Sequence, residues 1–321
     1  MRVLITGGGG FIGSHLVERL LLDGHDVRVL DNFATGRREN LVDFGDHIEI
    51  VEGDVQSYER AHTAVRDCEL VFHQAALPSV PRSVQDPLTS NAVNVIGTLN
   101  ILLAARDSGV RRVVYASSSS VYGANPTLPK NETLNTQPIS PYAVAKLAGE
   151  GYCRSFTEVY GLETVALRYF NVFGRRQDPD GVYAAVIPRW ISAMLDGKQI
   201  VMYGDGTSSR DFCYVDNIVQ ANLLAATSTD PGVLGTVYNC GCNERTDLRQ
   251  LFAMIRDSLA KDYPHVMNAE PTYEPIRKGD IPHSQAAIDK ITAALGYMPT
   301  HKVADGMAET VSWFAQRLKR K

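Results

Sequence analysis

The stretch ITGGGGFIGSHLVERL, residues 5–20, contains four consecutive glycines between two apolar patterns of different period. The residues just before the glycines, RVLIT, form the β-branched and apolar run that is typical of a buried strand. After the glycines, Ile12, Leu16 and Leu20 recur at the i, i+4 spacing of one helix face, and Gly24 is placed to end that helix. The stretch therefore predicts a strand, a tight glycine turn and a helix in direct succession.

The positions of the glycines indicate a phosphate-binding loop. Gly7, Gly10 and Gly13, or the alternative register that begins at Gly8, allow a tight turn and let backbone N–H groups at the helix N-terminus meet a pyrophosphate. Asp31 ends the next apolar run, DVRVLD, at the spacing of a carboxylate that binds the ribose hydroxyls of a dinucleotide. Because its charge would repel a 2′-phosphate, the pattern predicts NAD in preference to NADP.

Residues close to Asp31 leave two alternatives open. Arg37 and Arg38 could receive a 2′-phosphate, although charged side chains in a polar loop are more often solvated. Asp54 and Val55 follow the third apolar run and are placed to touch an adenine, but an ordinary turn would have the same spacing.

Strand and helix patterns continue to alternate after this unit. The runs HIEIVEGDV, CELVFHQAA, RRVVYAS and LETVALRYF are strand patterns, and helical patterns cover about 91–107 and 141–160. This alternation predicts an α/β fold with a Rossmann-type doubly wound parallel sheet. The later elements are shorter and richer in Pro, Gly and Asp, so we expect residues 1–175 to form the NAD-binding domain with the reactive residues. Residues 176–321 would form mainly a smaller C-terminal α/β substrate-binding lobe, with some segments returning to the first domain.

Composition excludes several classes of partner. The 321 residues carry a net charge of -4 with scattered Lys and Arg, which predicts no nucleic-acid partner. No uninterrupted run of 18 apolar residues occurs, and a strand pattern follows Met1 at once, so we expect neither a membrane span nor a signal peptide. The five cysteines fit thiols in a reducing cytoplasm better than a disulfide framework or a metal site, although Cys240 and Cys242 are separated by a single glycine.

The stretch SPYAVAKLAGE, residues 140–150, predicts a helix with a reactive face. Ser140 is a good N-cap, and Pro141 suits the first helical position because its missing N–H costs nothing there. Tyr142 and Lys146 are four residues apart and share one face. An ammonium beside a phenol stabilises the phenolate, so we expect the pKa of Tyr142 to fall toward the range of a general base.

Together these motifs resemble the extended short-chain dehydrogenase/reductase family over essentially the whole chain. The resemblance rests on TGGGGFIG, on the serine-ended strand before VYG and on YAVAK. Further stretches are similar to the UDP-hexose 4-epimerases, and most to the bacterial branch that acts on UDP-N-acetylglucosamine: HQAALPSVPRS, NAVNVIGTLN, LRYFNVFGRRQDP, YAAVIPRW, GDGTSSRDFCYVDN and GDIPHS.

The resemblance implies a role for each matching residue. The catalytic serine, tyrosine and lysine of the family fall on Ser118, Tyr142 and Lys146. The residues implied beside NAD are Gly7, Gly10, Phe11, Ile12, Gly13, Asp31, Asn32, Asp54, Val55, Ala75, Ala76, Asn94, Ser117, Tyr142, Lys146 and Tyr169. Those implied around the UDP-sugar are Ser79, Ser118, Ser119, Ser120, Tyr142, Asn171, Gln177, Ala185, Arg210, Arg277, Asp280 and Ser284.

The reaction that the resemblance implies is inversion at C4 of a UDP-hexose through a transient 4-keto sugar, with NAD kept as a prosthetic group. A sugar-nucleotide dehydratase, decarboxylase or reductase, a glucose-restricted epimerase and a non-catalytic NAD sensor are the alternatives. The family's dehydratases carry an Asp-Glu pair where this chain has Ser119 and Ser120, which argues against dehydration. A cytoplasmic homodimer is implied as well, with the helices near 97–107 and 146–160 packing against their copies.

The size of the sugar is predicted from one position. Glucose-restricted relatives resemble one another in having a bulky tyrosine where this chain has Ser284, and a serine leaves room for an N-acetyl group at C2. Pro78 departs from the acetyl-accepting branch, which tends to have glycine there, and could shift the loop that carries Ser79. We therefore expect UDP-N-acetylglucosamine and UDP-N-acetylgalactosamine as substrates, with UDP-glucose and UDP-galactose also accepted.

Overall fold

The computed structural model describes residues 1–180, 184–276 and 281–319. The strands are β1 (Arg2–Thr6), β2 (Asp26–Asp31), β3 (Ile48–Glu52), β4 (Leu70–His73), β5 (Arg112–Ser118), β6 (Glu163–Tyr169), β7 (Val172–Phe173), β8 (Ile200–Tyr203), β9 (Ser209–Arg210), β10 (Cys213–Tyr214), β11 (Thr236–Cys240), β12 (Thr246–Asp247) and β13 (Pro271–Glu274). The α-helices are α1 (Phe11–Leu22), α2 (Tyr58–Val65), α3 (Val80–Gln85), α4 (Pro87–Asn91), α5 (Gly97–Asp107), α6 (Pro141–Tyr160), α7 (Val186–Leu195), α8 (Val215–Thr227), α9 (Leu248–Ala260), α10 (Asp289–Leu295) and α11 (Val303–Lys319).

The central element is a seven-stranded parallel sheet in the order β11-β6-β5-β4-β1-β2-β3. Helices α1 and α8 pack together on one face of the sheet, and α2, α5 and α6 cover the other. Both faces of the sheet are therefore buried, which is why its strands are continuous apolar runs. The Rossmann-type doubly wound fold predicted from the alternation of patterns is confirmed.

The order of the strands reverses between β1 and β4. From β1 the chain moves outward through β2 and β3, and it then returns to β4 and continues in the opposite direction. A crevice opens at the carboxyl ends of the strands at such a reversal, and ligands of open α/β sheets bind there. The glycine turn after β1 and the Gln74–Ala75 segment after β4 meet at this point, where Gly7 approaches the backbone of Ala75.

A second apolar core lies in the C-terminal part of the chain. It is built largely from α7, α9 and α11, and Trp190, Phe252 and Phe314 are among its buried aromatic side chains. Small two-stranded sheets join β8 to β13, β9 to β12 and β7 to β10. Because β11 lies at the edge of the central sheet, the chain after residue 176 contributes to both cores.

The helix predicted near 91–107 starts earlier in the structure than the sequence indicated. The helical run starts at Pro87, capped by the Asp86 side chain, and passes through a π-helical turn, Ala92–Ile96, before α5. By length and composition alone this run, Pro87–Asp107, could cross a bilayer, with a mean hydropathy of 1.4 over a window that is 44% buried. That is weak evidence, because core helices pass the same test, and the run packs against α2 and α6.

Candidate active site

A cavity of about 710 Å³ occupies the crevice at the carboxyl edge of the sheet. This volume is in the usual range for sites that enclose a small organic ligand. The sequence-predicted residues on its wall are Gly7, Gly10, Phe11, Ile12, Gly13, Asp31, Asn32, Asp54, Val55, Ala75, Ala76, Ser79, Ser117, Tyr142, Lys146, Tyr169, Gln177 and Ala185. The other described candidates, Asn94, Ser118, Ser119, Ser120, Asn171, Arg210 and Ser284, lie off this wall.

The glycine turn leaves no space for side chains. Gly7 has a φ of 71°, in the left-handed region that favours glycine, and a Cβ there would lie 2.8 Å from the backbone of Ala75. A Cβ on Gly13 would lie 2.1 Å from the carbonyl oxygen of Gly7. The first turn of α1 can therefore pack tightly against the loop, with its backbone N–H groups at the cavity wall, as a pyrophosphate requires.

The carboxylate of Asp31 fixes the glycine loop from the end of β2. Its Oδ2 accepts the N–H of Gly9 at 2.8 Å, and its Oδ1 accepts the N–H of Phe33 at 2.7 Å. Burial raises the pKa of Asp31, and these two backbone hydrogen bonds act in the opposite direction. Each oxygen keeps a second lone pair, so the carboxylate can also accept hydrogen bonds from ribose hydroxyls.

The arginines near Asp31 are paired with acids. Arg37 bonds to Asp178 at 2.5 Å, and its guanidinium lies 3.6 Å from Asp180. Arg38 bonds to Glu52 and stacks over the ring of Phe33, with 4.0 Å to the ring centroid. A 2′-phosphate would have to displace these carboxylates, so the contacts favour a dinucleotide without that phosphate.

Side-chain hydrogen bonds join separate segments of the chain around the cavity. Asn32 donates to Asp54 at 2.7 Å, close to the expected position of an adenine. Asn94, predicted beside NAD, holds the loop after Ala76: its Oδ1 accepts the N–H of Leu77 at 2.8 Å and its amide donates to the Leu77 carbonyl. Asn94 therefore fixes the shape of the wall without forming part of it.

Ser118, Tyr142 and Lys146 come together at the ends of β5 and α6. The Oγ of Ser118 accepts the N–H of Ser120 at 3.2 Å, which leaves its O–H to donate to the Tyr142 phenol. The Nζ of Lys146 lies 5.9 Å from the centroid of the Tyr142 ring and donates to the carbonyl of Ala116 at 2.8 Å. Helix α6 begins at Pro141 with the Oγ of Ser140 accepting the N–H of Ala143, as predicted.

The direction of the Tyr142 pKa differs from the prediction. Burial raises the pKa of Tyr142, and the hydrogen bond from Ser118 partly opposes that shift. Burial also lowers the pKa of Lys146 to about 8, while Cys153 and Glu150 act in the opposite direction. The expectation that the pKa of the phenol would fall is wrong for this structure because desolvation outweighs the opposing hydrogen bond from Ser118.

The four serines after β5 have different neighbours. Ser117 is buried and donates to Glu150, although it also reaches the cavity wall, and Ser118 bonds to Tyr142. Ser119 and Ser120 are half-buried in the 3₁₀ turn that follows. The Oγ of Ser120 is buried and has no hydrogen-bond partner among the described residues, which is the state expected of a group that binds a ligand.

The remaining candidates for the UDP-sugar site lie on the chain after β6. Asn171 has a φ of 25° and donates to the carbonyl of Asp211 at 3.3 Å, and Gln177 has a buried Oε1 that lacks a partner among the described residues. Arg210 on β9 donates to the carbonyl of Pro282 at 3.0 Å, and the N–H of Ser284 donates to the adjacent Ser209. The structure thus brings Arg210 and Ser284 close together, whereas Arg277 and Asp280 fall outside the described residues.

Comparison with known proteins identifies the family. The model of the NAD-dependent epimerase/dehydratase family matches residues 3–241. The chain belongs to this family. It is 39% identical over 322 residues to a UDP-glucose 4-epimerase of Mycolicibacterium smegmatis, and the match covers 99% of both chains.

Solved structures of this family agree with the fold throughout the chain. The UDP-N-acetylglucosamine 4-epimerase from Methanobrevibacter ruminantium M1, in complex with UDP-N-acetylmuramic acid, is 41% identical with a TM-score of 0.91 and covers 98% of both chains. The UDP-glucose 4-epimerase of Thermus thermophilus in complex with NAD is 36% identical with a TM-score of 0.87, covering 98% of this chain and 99% of that one. The cofactor of the present chain is NAD, as the glycine loop and Asp31 predicted.

Sequence reasoning missed several residues that line the cavity. Gln74, Arg176 and Asp178 line it, and Asp178 also forms an ion pair with Arg37. Gln74 donates to the phenol of Tyr169 at 3.0 Å and so orients Tyr169, which is predicted to lie beside NAD. Gln74, Arg176 and Asp178 all lie within stretches that carry the family resemblance, but their partners lie far away in the sequence and no local spacing points to them.

Proposed function

We propose that this protein is a UDP-hexose 4-epimerase that interconverts UDP-N-acetylglucosamine and UDP-N-acetylgalactosamine and also accepts UDP-glucose and UDP-galactose. The observation that carries the proposal is the phenol of Tyr142, which accepts the Ser118 hydroxyl and shares a helix face with the Lys146 ammonium on the wall of the NAD cavity. Relatives that are named UDP-glucose 4-epimerase and UDP-N-acetylglucosamine 4-epimerase support the reaction class.

Binding of NAD at the glycine loop supplies a reversible acceptor for the hydrogen and electron pair at C4 of the sugar. Tyr142 takes the proton of the C4 hydroxyl and later returns it, so no group is consumed. Burial makes the phenolate costly, and we propose that the Lys146 ammonium, whose Nζ lies 5.9 Å from the centroid of the Tyr142 ring, offsets part of that cost when the proton moves. The pKa of Lys146, lowered by burial to about 8, keeps the amine largely protonated at neutral pH. Ser118 donates to the same oxygen and aligns the C4 oxygen with it.

The dehydratase alternative lacks its proton-transfer groups in this chain. Removing water across C5 and C6 requires an acid and a base beside those carbons, and Ser119 and Ser120 occupy the relevant positions. A hydroxyl with an ordinary pKa transfers such protons poorly. A decarboxylase is a second alternative, since it would use the same C4 oxidation, and a sugar acid as substrate would distinguish it. A non-catalytic NAD sensor would not need the arrangement of Ser118, Tyr142 and Lys146.

The position of Ser284 supports the choice of acetylated sugars. Its backbone is held against Ser209, next to Arg210, and its half-buried side chain is small. Ser79 has a φ of 98° and caps α3 by accepting the N–H of Arg82, so Pro78 precedes a strained residue at the cavity wall. We propose that Ser79 and Ser284 border the hexose, with Asn171, Gln177, Ala185, Arg210, Arg277 and Asp280 holding the rest of the substrate.

The assembly and location belong to the same proposal. Exposed apolar side chains at Ile96, Val144 and Val159, with 44%, 53% and 67% of their surfaces accessible, support a homodimer through the helices near 97–107 and 146–160. A cytoplasmic location and the division into residues 1–175 and 176–321 remain predictions.

Separate incubations with UDP-N-acetylglucosamine and UDP-glucose test the proposal. We expect both to give the C4 epimer without added oxidant, with the higher kcat/KM for the acetylated sugar. Tyr142→Phe serves as the control for contaminating epimerase. Products that have lost water, or no product from a protein that holds NAD, would refute the assignment.

A further inference from the structure

Glu150 lies on α6 one helical turn beyond Lys146 and is buried, with 5% of its surface exposed. Its Oε1 accepts the hydroxyl of Ser117 and the Nε of Arg168, the latter at 2.8 Å. Its Oε2 accepts the Nη2 of Arg168 at 2.8 Å. Removing two charges from water costs free energy that their attraction repays only when the geometry is close to ideal. The buried pair of Glu150 and Arg168 is therefore weak evidence for a purely stabilising role.

The pair lies beneath the reactive residues. Ser117 and Arg168 are register partners on β5 and β6, so Glu150 bridges from α6 to both strands that carry the site. Arg168 also lies over the ring of Tyr122 at 4.7 Å, and its Nη1 has no hydrogen-bond partner among the described residues. Its positive charge is therefore neutralised chiefly by the Glu150 carboxylate.

Few charged groups act on Lys146. Those that face it from the elements packed around it are Tyr115 on β5, His73 on β4, and Tyr142, Glu150 and Cys153 on its own helix. His73 is neutral near pH 7 because burial and then Lys146 lower its pKa to about 3, and burial raises the pKa values of the Tyr115 phenol and the Cys153 thiol. Among these described groups, Glu150 is the one held in an ion pair, with both of its carboxylate oxygens bonded to Arg168.

We propose that Glu150 is a positioning residue that keeps Lys146 charged and fixes Ser117, and that Arg168 limits how strongly the negative charge of Glu150 acts on Lys146. The effect of Glu150 and Arg168 on turnover rests on the proposed function, because both residues would act through Lys146 and Tyr142. The proposal predicts effects of opposite sign from the two halves of one ion pair. A pair that merely holds the fold together would give effects of the same sign.

Three variants separate these cases. Glu150→Gln keeps the shape but leaves the Arg168 cation unbalanced, so the Lys146 ammonium should titrate at lower pH by about one unit or more. Arg168→Met removes the cation that offsets Glu150, so Lys146 should titrate above the parental pH. The double variant Glu150→Gln with Arg168→Met buries no charge from the pair and should return the titration toward the parental pH.

The titration is measured on the NAD-bound protein by NMR of ¹³C-labelled lysine, with the Lys146 signal assigned from Lys146→Arg. This readout does not depend on turnover. The alkaline limb of the pH profile of kcat is the second readout, because turnover requires the Lys146 ammonium, and we expect it to move with the NMR midpoint in each variant. Near-parental kcat in the double variant at its own optimum pH would show that the loss in Glu150→Gln is electrostatic.

The results that overturn the inference are specific. Equal Lys146 midpoints in the parent and Glu150→Gln, or a double variant that is worse than either single one, would leave the pair with a structural role only. If Glu150→Gln does not fold, Arg168→Met is compared with the double variant, and a higher midpoint in Arg168→Met is expected while equal midpoints contradict the proposal. If the midpoints shift as expected but the parent epimerises nothing, the proposed function fails and the electrostatic role of Glu150 stands.

Discussion

His73 should make the stability of this protein depend on pH between about 6.5 and 3. The imidazole is buried at the end of β4, where Nδ1 is paired with the Thr6 hydroxyl at 2.7 Å and Nε2 with the Thr98 hydroxyl at 3.0 Å. Burial, and then the charge of Lys146, lower its pKa from 6.5 to about 3. The folded chain therefore keeps His73 neutral over a range in which the unfolded chain binds a proton.

The sign and size follow from proton linkage. Because the folded pKa lies below the unfolded one, the contribution to stability is fully present above pH 6.5 and is lost as the pH falls toward 3. Each pH unit in that window removes about 1.4 kcal/mol, so lowering the pH from 8 to 5 should reduce the free energy of unfolding by about 2 kcal/mol through His73. His15, whose pKa burial also lowers to about 3, should remove a similar amount.

Urea unfolding at pH 8, 6.5 and 5 with a fixed excess of NAD measures this loss in the parent and in His73→Gln. The variant should be less stable at pH 8, because a hydrogen bond to Thr6 is lost, but about 2 kcal/mol of the pH dependence should disappear. His47→Gln, at an exposed site, is the matched control and should leave the pH dependence unchanged. If His73→Gln loses as much stability between pH 8 and 5 as the parent does, the neutral buried imidazole is refuted.

Three further predictions concern the site. Tyr142→Phe should lower kcat by about 10² to 10⁴-fold with NAD still bound, as measured by product formation and by cofactor release on denaturation, and near-parental turnover would remove Tyr142 from its role as general base. The parent should bind NAD far more tightly than NADP in a competition assay, and Asp31→Asn should narrow that difference, whereas equal affinities in the parent would mean that Arg37 or Arg38 governs the pocket. Ser284→Tyr should abolish epimerisation of UDP-N-acetylglucosamine while sparing UDP-galactose, with Ser284→Ala as the small control, and a parental rate on the acetylated sugar in Ser284→Tyr would place the size limit elsewhere.

Local signals predicted the elements that carry the site. Helix α6 spans Pro141–Tyr160 as expected because an N-cap serine, a first-turn proline and Gly161, with a φ of 71°, all act within a few residues of its ends. The start of the earlier helical run at Pro87 was missed, since the π-helical turn at Ala92–Ile96 interrupts the 3.6-residue period on which the prediction depends. Periodicity is reliable only where the helix is regular.

Contacts between distant segments could not be predicted in the same way. Arg37 and Asp178 are 141 residues apart, and their pairing follows only from how the chain folds over the cavity. The amide of Asn94, which is predicted beside NAD, bonds to the backbone of Leu77, 17 residues earlier in the chain, and no local spacing indicates that contact. The predicted direction of the Tyr142 pKa shift was wrong because spacing indicates which charge is near but does not indicate how deeply the phenol is buried.

The most direct test of the account is the fate of the hydrogen at C4 when purified protein is incubated with UDP-N-acetylglucosamine in D₂O without added NAD. The account predicts that UDP-N-acetylgalactosamine forms with no solvent deuterium on its carbon atoms, and that the reverse reaction reaches the same mixture. This follows because the hydrogen that leaves C4 is held in the site and returned, while Tyr142 moves only the hydroxyl proton. Deuterium at C5 or C6, a product that has lost water, or no C4 epimer from a protein shown to hold NAD would contradict it.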